Sequence, residues 1–186
     1  LYIVCPCANE NSFEEKITRI VKKGKENSVD GRLRFFYDDI GHIRRMYSAE
    51  LIDLFAQYNI LLHKEFYAFQ FWGAIELISK WDLNLIKRIF DDRKSINISS
   101  KIELFFLKFM MMLLSAVMQL RSVNFIKYIK KDVSVAKKIR IILLMPLKPL
   151  ANFIGILVDL CALLEWHFFK TERNGSAQYL IFKKYA

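Results

Sequence analysis

The stretch from Arg34 to Phe71 constrains the fold most, because it runs a capped helix directly into a strand. Ser48 stands where an N-cap is wanted, and Glu50 follows in the first turn, where the helix dipole favours a carboxylate. Leu51, Leu54, Phe55 and Tyr58 then recur at i, i+3, i+4 and i+7, one stripe of a helical period. Asn59 follows, a residue that tolerates the left-handed conformation of a helix C-terminus. Ile60 to Phe71 continues at once as an apolar and aromatic run without Pro or Gly, which predicts a strand. A helix feeding a strand is half of an α/β unit, so the class expected is α/β.

The flanking chain extends that expectation. Leu1 to Cys5 is a short apolar run closed by Pro6, the pattern of a strand buried on both faces of a parallel sheet. Ser12 and Glu15 form a capping box, opening a helix that carries Phe13, Ile17, Ile20 and Val21 and stops at Gly24. Residues 25–34 are polar and turn-rich. From Gly73 to Asp92 the period is helical again, with Ile78, Trp81, Leu85, Ile86, Ile89 and Phe90 inward. Ser100 is the expected cap of a long helix to Lys131, and Leu104 to Leu120 within it is almost wholly apolar. A helical stretch from Val133 is interrupted at Pro146 and Pro149 and resumes from Leu150 to Leu164. Asn174-Gly175 signals a hairpin-type turn before a last strand over Tyr179 to Phe182.

The 186 residues suit one domain with a real core. Hydrophobic residues make up 54% and charged residues 26%, which excludes disorder and a typical multi-span membrane protein. Lys and Arg number 29 against 19 Asp and Glu, a net +10. That excess invites nucleic acid, an anionic membrane or an acidic substrate. Nucleic acid ranks third, because the aromatics lie inside apolar runs rather than among the lysines. Cys5 and Cys7 share a strand face, with no second pair or His cluster to complete a metal site. Cys5 and Cys7 are therefore expected to be buried thiols, and three cysteines, too few and odd in number for a disulfide framework, point to a reduced, cytoplasmic setting. The chain opens inside an apolar run without a Met, as expected of a fragment.

Two apolar stretches, Leu104–Leu120 and Leu150–Leu164, raise the membrane question. Each falls short of the ~20 uninterrupted residues of a span, and each carries a charge, Lys108 or Asp159. Helices lying on a membrane face are therefore expected over spanning ones, with a buried helical pair as the competing reading. Arg121, Lys127, Lys130, Lys131, Lys137, Lys138 and Arg140 cluster nearby, suited to anionic headgroups or to a solvated helix face.

Leu1–Glu10, then Asp38-Asp39-Ile40-Gly41-His42-Ile43-Arg44, then Tyr47-Ser48-Ala49-Glu50-Leu51 resembles the C-terminal half of class I S-adenosylmethionine-dependent methyltransferases. In that family a strand ends in a Pro-containing loop near the reaction centre. A helix opening with His, then Ser or Thr, x, Glu, Leu follows, then a strand, and an antiparallel strand closes the sheet. Pro6, His42, Ser48, Glu50 and Leu51 fall on those places, and Tyr179–Lys184 falls on the closing strand. The cofactor half departs from the family: the six glycines lie apart and no Gly-x-Gly turn is present to cradle the cofactor.

The resemblance implies the C-terminal half of a Rossmann-like sheet over residues 1–72, a large helical insertion over 73–167, and a closing strand region over 168–186. It implies S-adenosylmethionine as family cofactor, a small or lipid-like acceptor, and a missing N-terminal half of the same protein. Pro6 and Asn9 fall on the cofactor-side loop, and Tyr37, Asp38 and Asp39 on the acceptor side. His42 is the catalytic candidate, since an imidazole oriented by a carboxylate can act as general base toward an acceptor hydroxyl; fixing the helix start is its structural alternative. The competing function class is a non-catalytic basic helical module that binds a membrane surface or a protein partner.

Overall fold

The computed structural model describes residues 1–27, 33–38, 45–124, 134, 139 and 142–184. Strand β1 (Tyr2–Pro6) is followed by helix α1 (Phe13–Ile20), the short strands β2 (Lys25–Asn27) and β3 (Leu33–Phe35), and helix α2 (Ser48–Ala56). Strand β4 (Ile60–Ala68) leads into helices α3 (Trp72–Ser79), α4 (Leu83–Ile89) and the long α5 (Ile98–Ser122). Helix α6 (Lys148–Phe169) and strand β5 (Ala177–Lys184) complete the described chain.

The last strand lies in the middle of the sheet. Its order is β1-β5-β4, with β5 antiparallel to both neighbours, so β1 and β4 run parallel to each other on either side. The expectation for β1 is corrected here. It is an outer strand with an antiparallel neighbour, and its alternate residues Tyr2 and Val4 are exposed. An edge strand has one covered face at most unless a second layer lies over it, so an unbroken apolar run did not mean burial on both sides.

The two faces of β5 diverge. Leu180 and Phe182 are buried under α2 together with Leu51, Ile52 and Phe55, and the Phe55 and Phe182 rings lie 4.8 Å apart. Tyr179 and Ile181 point to the other side, where α6 reaches the sheet through Trp166, 6.0 Å from the Tyr179 ring. A register shift between Leu62 and Lys64 brings Phe66 opposite Tyr179 on that same face.

The main core joins both sides of residue 73. Phe13, Ile17, Phe35 and Tyr37 pack with Ile75 and Ile78 of α3, Ile86 and Ile89 of α4, and Leu104 and Met111 of α5. The single helical period read over residues 73–92 is two helices, because Asp82 accepts from the Asn84 N–H and starts a second one. Three other caps move. Ser12 accepts from the Glu15 N–H as expected, but the Glu15 carboxylate turns to Arg19 and Lys25 instead of completing the box. Tyr47, not Ser48, is the residue before α2, and its N–H donates to Glu50. Asn97, not Ser100, caps α5, accepting from the Ser100 N–H at 2.8 Å. Asn59 adopts the expected left-handed backbone with φ 57°.

Asn174-Gly175 connects α6 to β5 rather than two strands of a hairpin. The glycine is needed for a different reason: a Cβ there would stand 2.3 Å from the Ala68 carbonyl oxygen.

Candidate functional site

Three features of the molecule bear on function, beginning at the end of β1. Pro6 ends that strand opposite Ala177, and the chain then dives inward through Cys7, Ala8 and Asn9, all buried. The Cys7 N–H donates to the Ser176 carbonyl at 2.8 Å, and the Asn9 amide donates to the Gly175 carbonyl at 3.1 Å. The Ser48 hydroxyl donates to Asn9 Oδ1 at 3.1 Å. Asn9 thus ties the start of α2 to the turn before β5 and has its side chain fully engaged. Burial, eased in part by its hydrogen bonding, pushes the Cys7 thiol up to about 12, so it is an inert core thiol. Among the described residues no group of three or more His, Cys, Asp or Glu is placed to hold a metal ion.

The second feature is a buried charged cluster beneath α1. Arg45 Nε and Nη2 meet the Asp38 carboxylate at 3.0 and 2.7 Å, while Nη1 and Nη2 meet Glu14 at 3.2 Å each. The guanidinium also lies over the Phe35 ring, 4.2 Å from its centre, and the Tyr37 hydroxyl donates to Glu14 at 2.7 Å. Side-chain exposures of 7% for Arg45, 4% for Glu14 and 2% for Asp38 place all three away from water. Burial alone would weaken the hold of Arg45 on its proton, yet Glu14 and Asp38 outweigh it and raise the pKa above its ordinary value. Burial, reinforced by Glu14, likewise holds Tyr37 well above the usual phenol range.

Of the residues expected on the acceptor side, Tyr37 and Asp38 therefore stand together, as members of this interior network. Asp39 and His42 lie outside the described residues, as do Lys127, Lys130, Lys131, Lys137, Lys138 and Arg140 of the basic cluster. Arg45 and Glu14 were not legible as partners: they are 31 positions apart, and each reads locally as a solvated helix or loop charge. A faint signal existed in Phe13-Glu14-Glu15-x-Ile17, where carboxylates interrupt the apolar face of an otherwise regular helix.

The third feature is the pair α5 and α6. Both are long and apolar enough to cross a membrane, over Ile98–Ser122 and Ile142–Phe169. At 25 and 22 residues they measure ~37 and ~33 Å, against a hydrocarbon thickness of about 30 Å. The apolar runs in the sequence understate them, because the helices continue through the polar residues at either end. Their polarity is arranged inside out. Helix α5 buries Leu104, Met111, Ser115 and Met118 and exposes Ile102, Phe105, Phe109 and Leu113. Helix α6 buries Ala151, Gly155 and Val158 and exposes Phe153, Leu157, Leu160, Leu164 and Phe168.

Four charges within these helices, Lys108, Arg121, Asp159 and Glu165, are turned toward protein partners, while Lys101 and Glu103 near the start of α5 are exposed. Lys108 reaches Asp92 at 3.1 Å, and Arg121 crosses to Asp159 at 2.7 Å. Gly155 makes room for that crossing, since a Cβ there would come within 2.7 Å of Arg121 Cδ. Glu165 accepts from the N–H groups of Phe71, Trp72 and Gly73 at 2.9, 3.0 and 2.8 Å, capping α3 from α6. The two helices thus carry small residues between them, paired charges inward and Phe, Leu and Ile outward. No family model, no curated protein and no solved structure matches the chain.

Proposed function

We propose that this chain is the second half of an S-adenosylmethionine-dependent methyltransferase sheet, held against a bilayer by α5 and α6, and that its acceptor is lipid-like. The observation that carries the reading is one juxtaposition. A sheet whose final strand returns antiparallel between two parallel strands is joined, across the open face of that strand, to a helical pair with an apolar exterior. The strand order and the Pro6-to-Asn9 turn support the chemical part, and the outward Phe, Leu and Ile support the membrane part. A globular protein in water rarely leaves a contiguous apolar surface of this extent uncovered unless something covers it.

In this reading the protein's own residues bind and position. Asn9 fixes the turn beside the sheet mouth, Arg45 ties Asp38 to Glu14, and His42 takes the acceptor proton. S-adenosylmethionine, the methyl donor, would need a phosphate-free nucleoside cradle, and the absence of any Gly-x-Gly turn leaves the chain without one of its own. The second reading, a membrane-binding module without catalysis, is favoured by the engagement of Asn9, Tyr37 and Asp38 inside the protein.

Methyl transfer distinguishes the two. The polypeptide extended upstream in its own reading frame is incubated with tritiated S-adenosylmethionine and membrane lipid extract. Label is expected in the lipid fraction, and His42→Ala is expected to lower its rate by about 10²-fold with the fold intact. No labelled lipid, or an unchanged rate in His42→Ala, removes the catalytic assignment.

A further inference from the structure

A cavity of about 720 Å³ lies between the uncovered face of the sheet and α6, within the range of about 300–1,000 Å³ typical of small-molecule sites. One wall is Phe66, Tyr179 and Ile181 of the sheet, and the other is Ala162, Leu163 and Trp166 of α6. We infer that this cavity holds the hydrocarbon tail of a single lipid, admitted from the bilayer past Leu163. The inference rests on the membrane reading of α6 and names where an apolar acceptor would sit.

Two observations point to a tail rather than a polar ligand. The charged and amide groups that border the cavity are already committed. Asp159 is paired with Arg121 at 2.7 Å, Glu76 with Lys80, and the Gln70 amide donates to the Tyr67 carbonyl at 2.9 Å. What is left to line the space is aromatic and aliphatic, with the Tyr2 and Tyr179 hydroxyls and the Trp166 indole N–H as polar tips. Such rings suit the boundary between a headgroup and a chain. The second observation is continuity. Leu163 lines the cavity and is also 62% exposed, so the cavity and the exposed surface of α6 share a residue. Phe69, another lining residue, is held at φ 60°. Its carbonyl accepts from the Ser176 N–H and hydroxyl at 3.3 Å each. A bulky side chain in the left-handed region is strained, and such strain persists where the surroundings over-determine it, commonly at binding sites.

The test uses the full chain with Trp166 as its one tryptophan, through Trp72→Phe and Trp81→Phe, in uncharged detergent. Dibromohexadecanol is titrated as the probe, because bromine quenches tryptophan only at contact. Quenching is expected to saturate at one probe per protein. Ala162→Phe and Ile181→Phe fill the cavity from opposite walls. Each is expected to weaken binding at least about tenfold, the loss incurred when methylenes are excluded from an apolar pocket. Flotation with vesicles, which reads the outward face alone, should stay unchanged in both variants. Non-saturating quenching in the parent protein overturns the inference whether or not the variants fold. Equal saturable quenching in a folded variant overturns it too, since the probe would then be on the outer surface. Failure of flotation with saturable quenching retained would instead fault the membrane reading.

Discussion

Helices α2 and α6 lie against opposite faces of the same sheet, and they obey opposite rules. Helix α2 sets Leu51 and Phe55 on Leu180 and Phe182 and turns Glu50 and Asp53 outward, with Leu54 as its one exposed large apolar side chain. Helix α6 sets Ala151, Gly155 and Val158 inward and turns Phe153, Leu157, Leu160, Leu164 and Phe168 outward. The sheet is common to both, so under the proposed reading the difference lies in the surroundings each helix is built for. The outward carboxylates of α2 suit water. Beyond α6 a hydrated surface would have to tolerate a ridge of large apolar side chains. The one carboxylate at mid-helix, Asp159, turns to Arg121 across the pair.

The largest effect expected is in the buried charged cluster beneath α1. Arg45→Met leaves Glu14 and Asp38 buried without their cation, and should destabilise the fold by about 3–5 kcal/mol. Urea unfolding followed by near-UV circular dichroism checks this. A loss within experimental error would mean the carboxylates reach water, and the segment before α2 would then be free to rearrange.

A paired substitution sharpens the contrast between the two helices. Leu51→Ala removes a buried side chain from the α2 face and should cost about 2–5 kcal/mol. Leu160→Ala, on the outward face of α6, should change stability in detergent by no more than about 0.5 kcal/mol. Thermal unfolding of both variants in the same detergent makes the comparison. Equal losses would show that Leu160 is packed against protein, and the inverted arrangement of α6 would be lost.

Much of this contrast was legible in residue order, and the illegible parts have identifiable physical causes. Helix α2 and strand β4 announced themselves because Leu51 to Tyr58 is periodic and Asn59 marks the turn. Helix α5 was expected to run from a cap at Ser100 to Lys131; it starts earlier, at Ile98, because Asn97 caps it, and ends at Ser122, where Val123 turns to an extended backbone. Lys108 and Asp159 argued against a membrane span when read alone. Their partners Asp92 and Arg121 are supplied by tertiary packing, which no local pattern encodes. The Glu14-Arg45-Asp38 network escaped for the same reason. The order β1-β5-β4 required pairing across 170-odd positions, roughly the whole chain, and strand patterning specifies faces rather than neighbours. The unsettled acceptor chemistry follows from where the candidates fall: Tyr37 and Asp38 are turned inward, and His42 lies outside the described residues.

Flotation with vesicles tests the difference between the two sides of the sheet most directly. The chain is mixed with anionic vesicles at low and high salt, beside a variant carrying Leu157→Asp, Leu160→Asp and Leu164→Asp on the outward face of α6. The parent protein is expected to float at 0.1 M salt, where the Debye length is about 10 Å, and to float less but not to vanish at 1 M, where it is about 3 Å. Apolar burial is insensitive to that screening, whereas attraction of basic residues to anionic lipid, worth about 1 kcal/mol each, is not. The triple variant should keep its helical circular dichroism and remain at the bottom of the gradient. Failure of the parent protein to float at low salt, or equal flotation of the folded triple variant, would contradict a lipid-facing α6.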